Sequence, residues 1–244
     1  MWFYYKDCGE NSINEGGGVN MYSLDEKIEK TFSYFRFIVD KVSDLDRVFV
    51  SWSGGKDSTA LLWLWKKFLR QNHIKHKISA ITIDTGFIFP EIKEFIEEFK
   101  KNKNIDLYTI KPDVDLSKYP KDNVVLCCSE LKIRPLKKAV KDLDIKFLLS
   151  GIRWDESEKR KGTLWLKERN DPYYIQINPI IHWTEMDVWT YHMKEDIPHC
   201  SLYDVGYRSI DCMPCTKIAK DSERSGRNSD KEDRLDILSS LGYF

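Results

Sequence analysis

The chain has 244 residues, 41% of them hydrophobic and 13% aromatic, which suits one domain of moderate size with a real core. Its 39 Lys plus Arg balance 39 Asp plus Glu, so net charge points to neither nucleic acid nor membrane, and any nucleic-acid contact would be a local patch. Without a long apolar run or a basic-then-apolar leader, a membrane partner is excluded and a cytoplasmic protein is expected, its oligomeric state left open.

Residues 1–22 carry Cys8 and three consecutive glycines (Gly16, Gly17, Gly18) and read as a flexible arm, or as sequence upstream of a second start at Met21. Residues 23–199 read as a nucleotide-binding α/β domain, and 200–244 as a loop-rich C-terminal segment packed on it. From Leu24, the apolar positions Ile28, Phe32, Phe35, Ile38, Val39 and Val42 fall on one helical face. The β-formers Val48-Phe49-Val50-Ser51 then run into Ser53-Gly54-Gly55-Lys56-Asp57-Ser58 and straight on into an apolar helix through Leu69. Strand, glycine turn and helix start together form an anion site, because free N–H groups and the positive helix end point at one spot. The two glycines let backbone approach a phosphate. Asp57 stands where a GTPase-type P-loop needs Ser or Thr after its lysine, so that motif is excluded. The spelling Ser-Gly-Gly-Lys-Asp-Ser resembles instead the PP-loop of ATP pyrophosphatases. That resemblance implies that Gly54, Gly55, Lys56 and Ser58 cradle the β- and γ-phosphates of ATP, with Ser53 helping. Asp57 reads either as a helix cap or as a group that positions magnesium.

Ile78 to Asp84 reads as a buried strand, and Pro90 as a helix start with Glu91 and Glu94 in its first turn. Ile105–Ile110 makes a third strand, Pro135–Leu143 a helix, and Phe147–Ser150 a fourth strand ending at Gly151. This alternation predicts an α/β fold with a mainly parallel sheet and helices on both faces. Ser53, Asp84 and Gly151 then share the carboxyl edge, where such sheets bind ligands. Asp84 there can hold magnesium or ribose, or merely cap its loop. Ile152 to Tyr173 is charged and irregular and reads as a mobile loop over the site, in which Arg153 and Arg160 either bind phosphate or stay solvated. Thr184 with Asp187 forms a capping box for a further helix. His182 and His199 read as structural, Trp183 and Trp189 as core.

Cys127-Cys128 and Cys212-x-x-Cys215 read better as metal ligands than as a disulfide framework. Four thiolates can hold an iron–sulfur cluster or zinc, although adjacent cysteines diverge on a helix and strain a zinc site. Two buried free cysteines beside an incidental Cys-x-x-Cys is the plain alternative. The stretch from Leu126 to Leu136 and the stretch from Ser209 to Thr216 resemble the two halves of the 4Fe-4S site of bacterial sulfonucleotide (APS) reductases. Gly151–Arg160, Pro179–Trp189, Tyr203–Arg208 and Glu223–Arg227 resemble, in the same order, the PAPS reductase family, which includes the small subunit of ATP sulfurylase. The resemblance implies an adenine nucleotide α-hydrolase-like fold, a cluster on Cys127, Cys128, Cys212 and Cys215, and nucleotide contacts from Arg224 and Arg227.

The departures from those relatives direct the functional expectation. Resembling reductases carry a degraded PP-loop and a terminal Glu-Cys-Gly whose thiol attacks sulfur, whereas this loop is intact and no cysteine follows Arg227. The ATP sulfurylase subunit lacks the four-cysteine set. The combination resembles the ATP pyrophosphatase component of DNA phosphorothioation systems and some nucleic-acid thiolation enzymes. It implies adenylation of an acceptor by ATP and Mg2+ for sulfur insertion, and a sulfur donor protein such as a cysteine desulfurase. A sulfonucleotide reductase, and an ATP sulfurylase-like or nucleotide-sensing subunit of a complex, are the competing readings.

Overall fold

The computed structural model describes residues 22–102, 104–116 and 122–243; the arm with Cys8 and Met21 lies outside the described residues. Six strands form one sheet in the order β3-β2-β1-β4-β6-β5. They are β1 (Val48–Ser51), β2 (Ile78–Ile83), β3 (Ile105–Ile110), β4 (Phe147–Leu149), β5 (Leu166–Asn170) and β6 (Tyr173–Ile177). All neighbours pair in parallel except β5 with β6, an antiparallel edge hairpin. The expected mainly parallel α/β architecture is therefore present.

Alternation along the central strands sends side chains to two separate cores. Val48, Val50, Ala80 and Leu149 face one side with helices α1 (Leu24–Lys41), α2 (Lys56–Gln71) and α3 (Pro90–Phe99). Phe49, Ile81 and Leu148 face the other, against Leu136 and Val140 of α5 (Arg134–Asp142). On α1 the apolar stripe buries Ile28, Phe32, Phe35 and Ile38, with Phe35 edge-on to Trp65 of α2 at 4.9 Å between ring centroids. Each such fully buried side chain stabilises by about 1.5–3 kcal/mol, so the stripe orients the helix on the sheet. Pro90 begins α3 as expected, and Thr184 with Asp187 caps α6 (Glu185–Lys194) through a reciprocal box. Trp183 is fully buried, whereas Trp189 is only half-buried against Tyr203.

One expected element is corrected. The stretch from Ile152 to Tyr173 is not an irregular loop throughout, because its second part is β5, registered on β6 from Leu166↔Ile177 to Asn170↔Tyr173. An edge strand has one side without a neighbour and carries charge there, so Lys167, Glu168 and Arg169 are compatible with strand structure. Short helices α4 (Val124–Cys128), α7 (Ser229–Asp233) and α8 (Leu235–Leu241) complete the chain. Among the described residues no helix is long and apolar enough to cross a membrane.

Candidate active site

The glycine loop sits at the carboxyl end of β1. Fully buried Trp52 anchors it, donating its backbone N–H to the Ile81 carbonyl (2.8 Å) and its indole N–H to Thr59 Oγ1 (2.9 Å). Gly54 has φ +75°, the left-handed region that glycine tolerates, and its α-carbon faces Ile92 of α3. Helix α2 begins at Lys56 without a side-chain cap from Gly55; the Tyr203 hydroxyl instead accepts the Lys56 N–H at 2.8 Å. Ser58 Oγ bonds the Gly55 carbonyl (3.0 Å) and receives the Ser53 N–H (3.2 Å), which closes the turn. Gly151, at the end of β4, lies so close that an added Cβ would stand 3.0 Å from the Ser58 nitrogen and 3.1 Å from the Asp57 carbonyl carbon. Both are backbone atoms that cannot swing away. Gly151→Ala should therefore push the loop off its position, costing about 1–3 kcal/mol in denaturant unfolding. An alanine variant of unchanged stability would show that the contact has room to spare.

Beneath the loop lies a buried ion network. Lys56 Nζ bonds Glu223 Oε1 (2.5 Å), Asp57 Oδ2 (3.1 Å) and the Arg208 carbonyl (2.9 Å). Arg153 joins the same carboxylates, with Nε to Asp57 Oδ1 at 2.7 Å and Nη2 to Glu223 at 2.6 and 2.7 Å. Burial opposes every one of these charges. For Asp57 the neighbouring Arg153 and Lys56 outweigh it and hold the carboxyl down at about 2. Burial likewise pulls the Lys56 ammonium down, but Asp57, Tyr203 and Glu223 more than restore it. In this structure Glu223, from the C-terminal segment, holds both Lys56 and Arg153, and neither cation lines the cavity above. Arg153 is not solvated either, being fully buried.

That cavity, of about 200 Å³, is lined by Ser53, Gly55, Asp57, Ser58, Gly151, Arg160, Arg224 and Arg227 from the expected set. Gly54 and Asp84 are not part of its wall; Asp84 accepts the Gly86 N–H at 3.0 Å and caps its own turn. Four lining residues, Lys132, Glu156, Tyr203 and Asp211, carry weight that the sequence reading did not assign. Glu156 pairs with Arg224 (2.7 Å) and Arg160 (3.5 Å), and Tyr203 closes the wall at the helix start. Asp211 is buried among Lys132, Lys231 and Arg227, the last at 3.0 Å, and these cations hold its carboxyl well below the usual range despite burial. Glu156, Tyr203 and Glu223 all lie in the family-like stretches, which was the one signal available. Lys132 and Asp211 lie in the two family-like stretches that carry the cysteines.

Cys127, Cys128, Cys212 and Cys215 line a separate cavity of about 230 Å³ with Phe87, Leu131, Pro214, Lys132 and Lys231. Adjacent cysteines ending α4 diverge by about 100°, so both can face one cavity only if it is broad. Accordingly, among the described residues no group of three or more His, Cys, Asp or Glu side chains is arranged for a single metal ion. The Cys212–Cys215 turn is closed by Cys215 N–H to the Cys212 carbonyl (2.8 Å) and docked by Met213 N–H to the Phe87 carbonyl (2.7 Å). Thr85 Oγ1 stands 3.3 Å from Cys212 Sγ. Burial first, then the other three thiols, push the Cys127 thiol up to about 11. Lys132 lines both cavities.

A glycine loop at the carboxyl edge of a mainly parallel sheet, beside a cavity lined by Arg160, Arg224 and Arg227, defines an α/β protein of the adenine nucleotide α-hydrolase-like type. Residues 47–218 match the phosphoadenosine phosphosulfate reductase domain, and the chain belongs to that family, within the PP-loop superfamily. It is 34% identical over 198 residues to an adenosine 5'-phosphosulfate reductase 2 of Bacillus subtilis, spanning 77% of this chain and 80% of that one. An adenosine 5'-phosphosulfate reductase of Bacillus mycoides is 28% identical over 234 residues, with 91% and 93% covered. Among solved structures, Candida glabrata FMN adenylyltransferase in complex with FAD and inorganic pyrophosphate is similar at TM-score 0.67 and 21% identity, covering 82% of this chain and 70% of that one. The U34-tRNA thiolase NcsA of Methanococcus maripaludis, with its [4Fe-4S] cluster, is similar at TM-score 0.53 and 16% identity, covering 90% and 77%.

Proposed function

We propose that this chain is an iron–sulfur ATP pyrophosphatase that adenylates an acceptor for sulfur insertion, in DNA phosphorothioation or another nucleic-acid thiolation. The observation that carries the reading is the shared wall: Lys132 lines both the loop cavity and the four-cysteine cavity, so a nucleotide held by the loop would stand across one side chain from the thiols. The loop N–H groups, Ser53, Ser58, Arg160, Arg224 and Arg227 would hold ATP through its phosphates, and Asp57 would position Mg2+ on them. Positive charge at the departing pyrophosphate stabilises the charge that builds there when an acceptor oxygen attacks the α-phosphate. The thiol donor set fits a 4Fe-4S cluster in number and in the breadth of its cavity, and a bound cluster would supply a site for sulfur or electrons beside the nucleotide. A sulfur donor protein such as a cysteine desulfurase would complete the reaction.

The curated relatives favour a second reading, sulfonucleotide reduction. That chemistry needs a thiolate to attack the sulfur of adenylyl sulfate. Among the described residues the thiols outside the four-cysteine cavity reduce to Cys200, which is 1% exposed and lines neither cavity. The two readings part in one experiment on anaerobically purified protein. Magnesium-dependent conversion of ATP to AMP and pyrophosphate, with negligible thioredoxin-dependent sulfite from APS or PAPS, is expected. Robust sulfite release, or ADP and orthophosphate as the main products, would overturn the proposal.

A further inference from the structure

A second cavity, of about 370 Å³, opens beside the nucleotide cavity between β5 and α8, and Ile152 and Arg160 belong to both. Its charged lining is Lys159, Arg160, Lys167 and Arg169 against one carboxylate, Asp236. The two-residue period of a strand puts Lys167 and Arg169 on the same face of β5. Arg169 is only 8% exposed, yet among the described residues its guanidinium bonds uncharged acceptors: Gln176 Oε1 at 3.0 and 2.7 Å, and the Ser239 and Tyr243 carbonyls at 2.8 and 3.3 Å. Lys167 has just a 3.4 Å contact to Ser239 Oγ.

Elsewhere among the described residues the buried cations are matched. Lys56, Arg153, Arg224 and Lys231 each hold a carboxylate. A buried cation without counter-charge is costly, and here burial depresses the pKa of both Lys167 and Arg169, the guanidinium adding to the effect on the lysine. A third cavity, of about 310 Å³, continues the surface; Lys167, Arg169 and Ser239 line it too, with Glu168 and with Lys137 paired to Asp171 at 3.0 Å. A groove thus leads from the loop cavity along β5, and its cations without a carboxylate partner among the described residues are Lys167 and Arg169.

Resting on the reading above, we propose that this groove binds the acceptor through phosphate-ester groups, one of them seated between Lys167 and Arg169 while the reacting end meets the nucleotide near Arg160. A phosphodiester strand would occupy both outer cavities, and a single phosphorylated nucleoside only the nearer one.

The test is equilibrium binding, without turnover, to the whole protein saturated with a non-hydrolysable ATP analogue. The probes are a fluorescent single-stranded oligonucleotide, the same sequence with neutral methylphosphonate links, and a fluorescent nucleoside bisphosphate. Charged probes should bind, more weakly as salt rises, and the neutral strand should not. Lys167→Gln and Arg169→Gln should each weaken binding by about tenfold while affinity for the ATP analogue is kept. Arg169 also ties down α8, so Lys167→Gln is the variant that reads the groove without touching a structural bond of note. Preference for the oligonucleotide assigns a strand; equal affinity for the bisphosphate assigns a small phosphorylated acceptor. Binding of neither charged probe, or binding indifferent to both substitutions, overturns the groove. Failure of ATP cleavage with groove binding intact would instead count against the pyrophosphatase reading alone.

Discussion

Replacing Cys128 or Cys215 by serine should take anaerobically purified protein from about four irons per chain to nearly none, with loss of the brown colour. The reason lies in what surrounds the thiols. Burial and the other three sulfurs push the Cys127 thiol up to about 11, so this thiol resists ionisation unless a cation rewards it. Lys132 and Lys231, on the wall of the same cavity, suit the net negative charge that four thiolates on a cluster would carry. Cluster loss should also loosen the C-terminal segment. The link between α4 and the Cys212–Cys215 turn closes a long stretch of chain, and without it that closure has to be held by contacts such as Met213 to Phe87. Iron quantification, visible absorption and proteolysis of the tail check the three consequences together. Stoichiometric zinc with no iron, in native protein never exposed to oxygen, would remove the basis of the expectation.

Arg153→Met should be the most destabilising substitution near the loop, at about 3–5 kcal/mol, because it leaves Asp57 and Glu223 sharing a single buried cation. Arg153 is fully buried, so water cannot take over its role. The double variant Arg153→Met with Glu223→Gln should recover part of that loss, since one uncompensated charge is removed along with the cation. Denaturant unfolding of the two single variants and the double variant measures the coupling. A cost below about 1 kcal/mol for Arg153→Met, or strict additivity in the cycle, would show that the pairs are not energetically joined.

The legible parts of the chain share one property, which is that their cause is local. The Gly54-Gly55 turn between β1 and α2, Pro90 at the head of α3, and the Thr184–Asp187 box each place cause and consequence within a few residues. The central strands were readable because burial on both faces demands unbroken apolar runs. Strand β5 was not, since an edge strand that faces a cavity with Lys167 and Arg169 has no apolar alternation to display. The gathering of the four cysteines in one cavity was foreshadowed by family resemblance, and local spacing argued only that adjacent cysteines suit a single ion poorly.

By itself, then, the sequence determined the α/β order of elements, an anion-binding turn at the carboxyl edge, and the identity of the residues available for chemistry there. The tertiary structure decided where those residues point. Lys56 carries the same motif position either way, but Glu223, 167 residues distant, turns it inward, and Arg153 follows. Asp211 gains its weight only because Lys132, Arg227 and Lys231 converge on it. A buried charge goes to whatever counter-charge the folded chain brings within reach, since the cost of leaving it unpaired exceeds the preference of any local motif. Arg169, enclosed by neutral acceptors, is the place where folding left that demand for a ligand to meet.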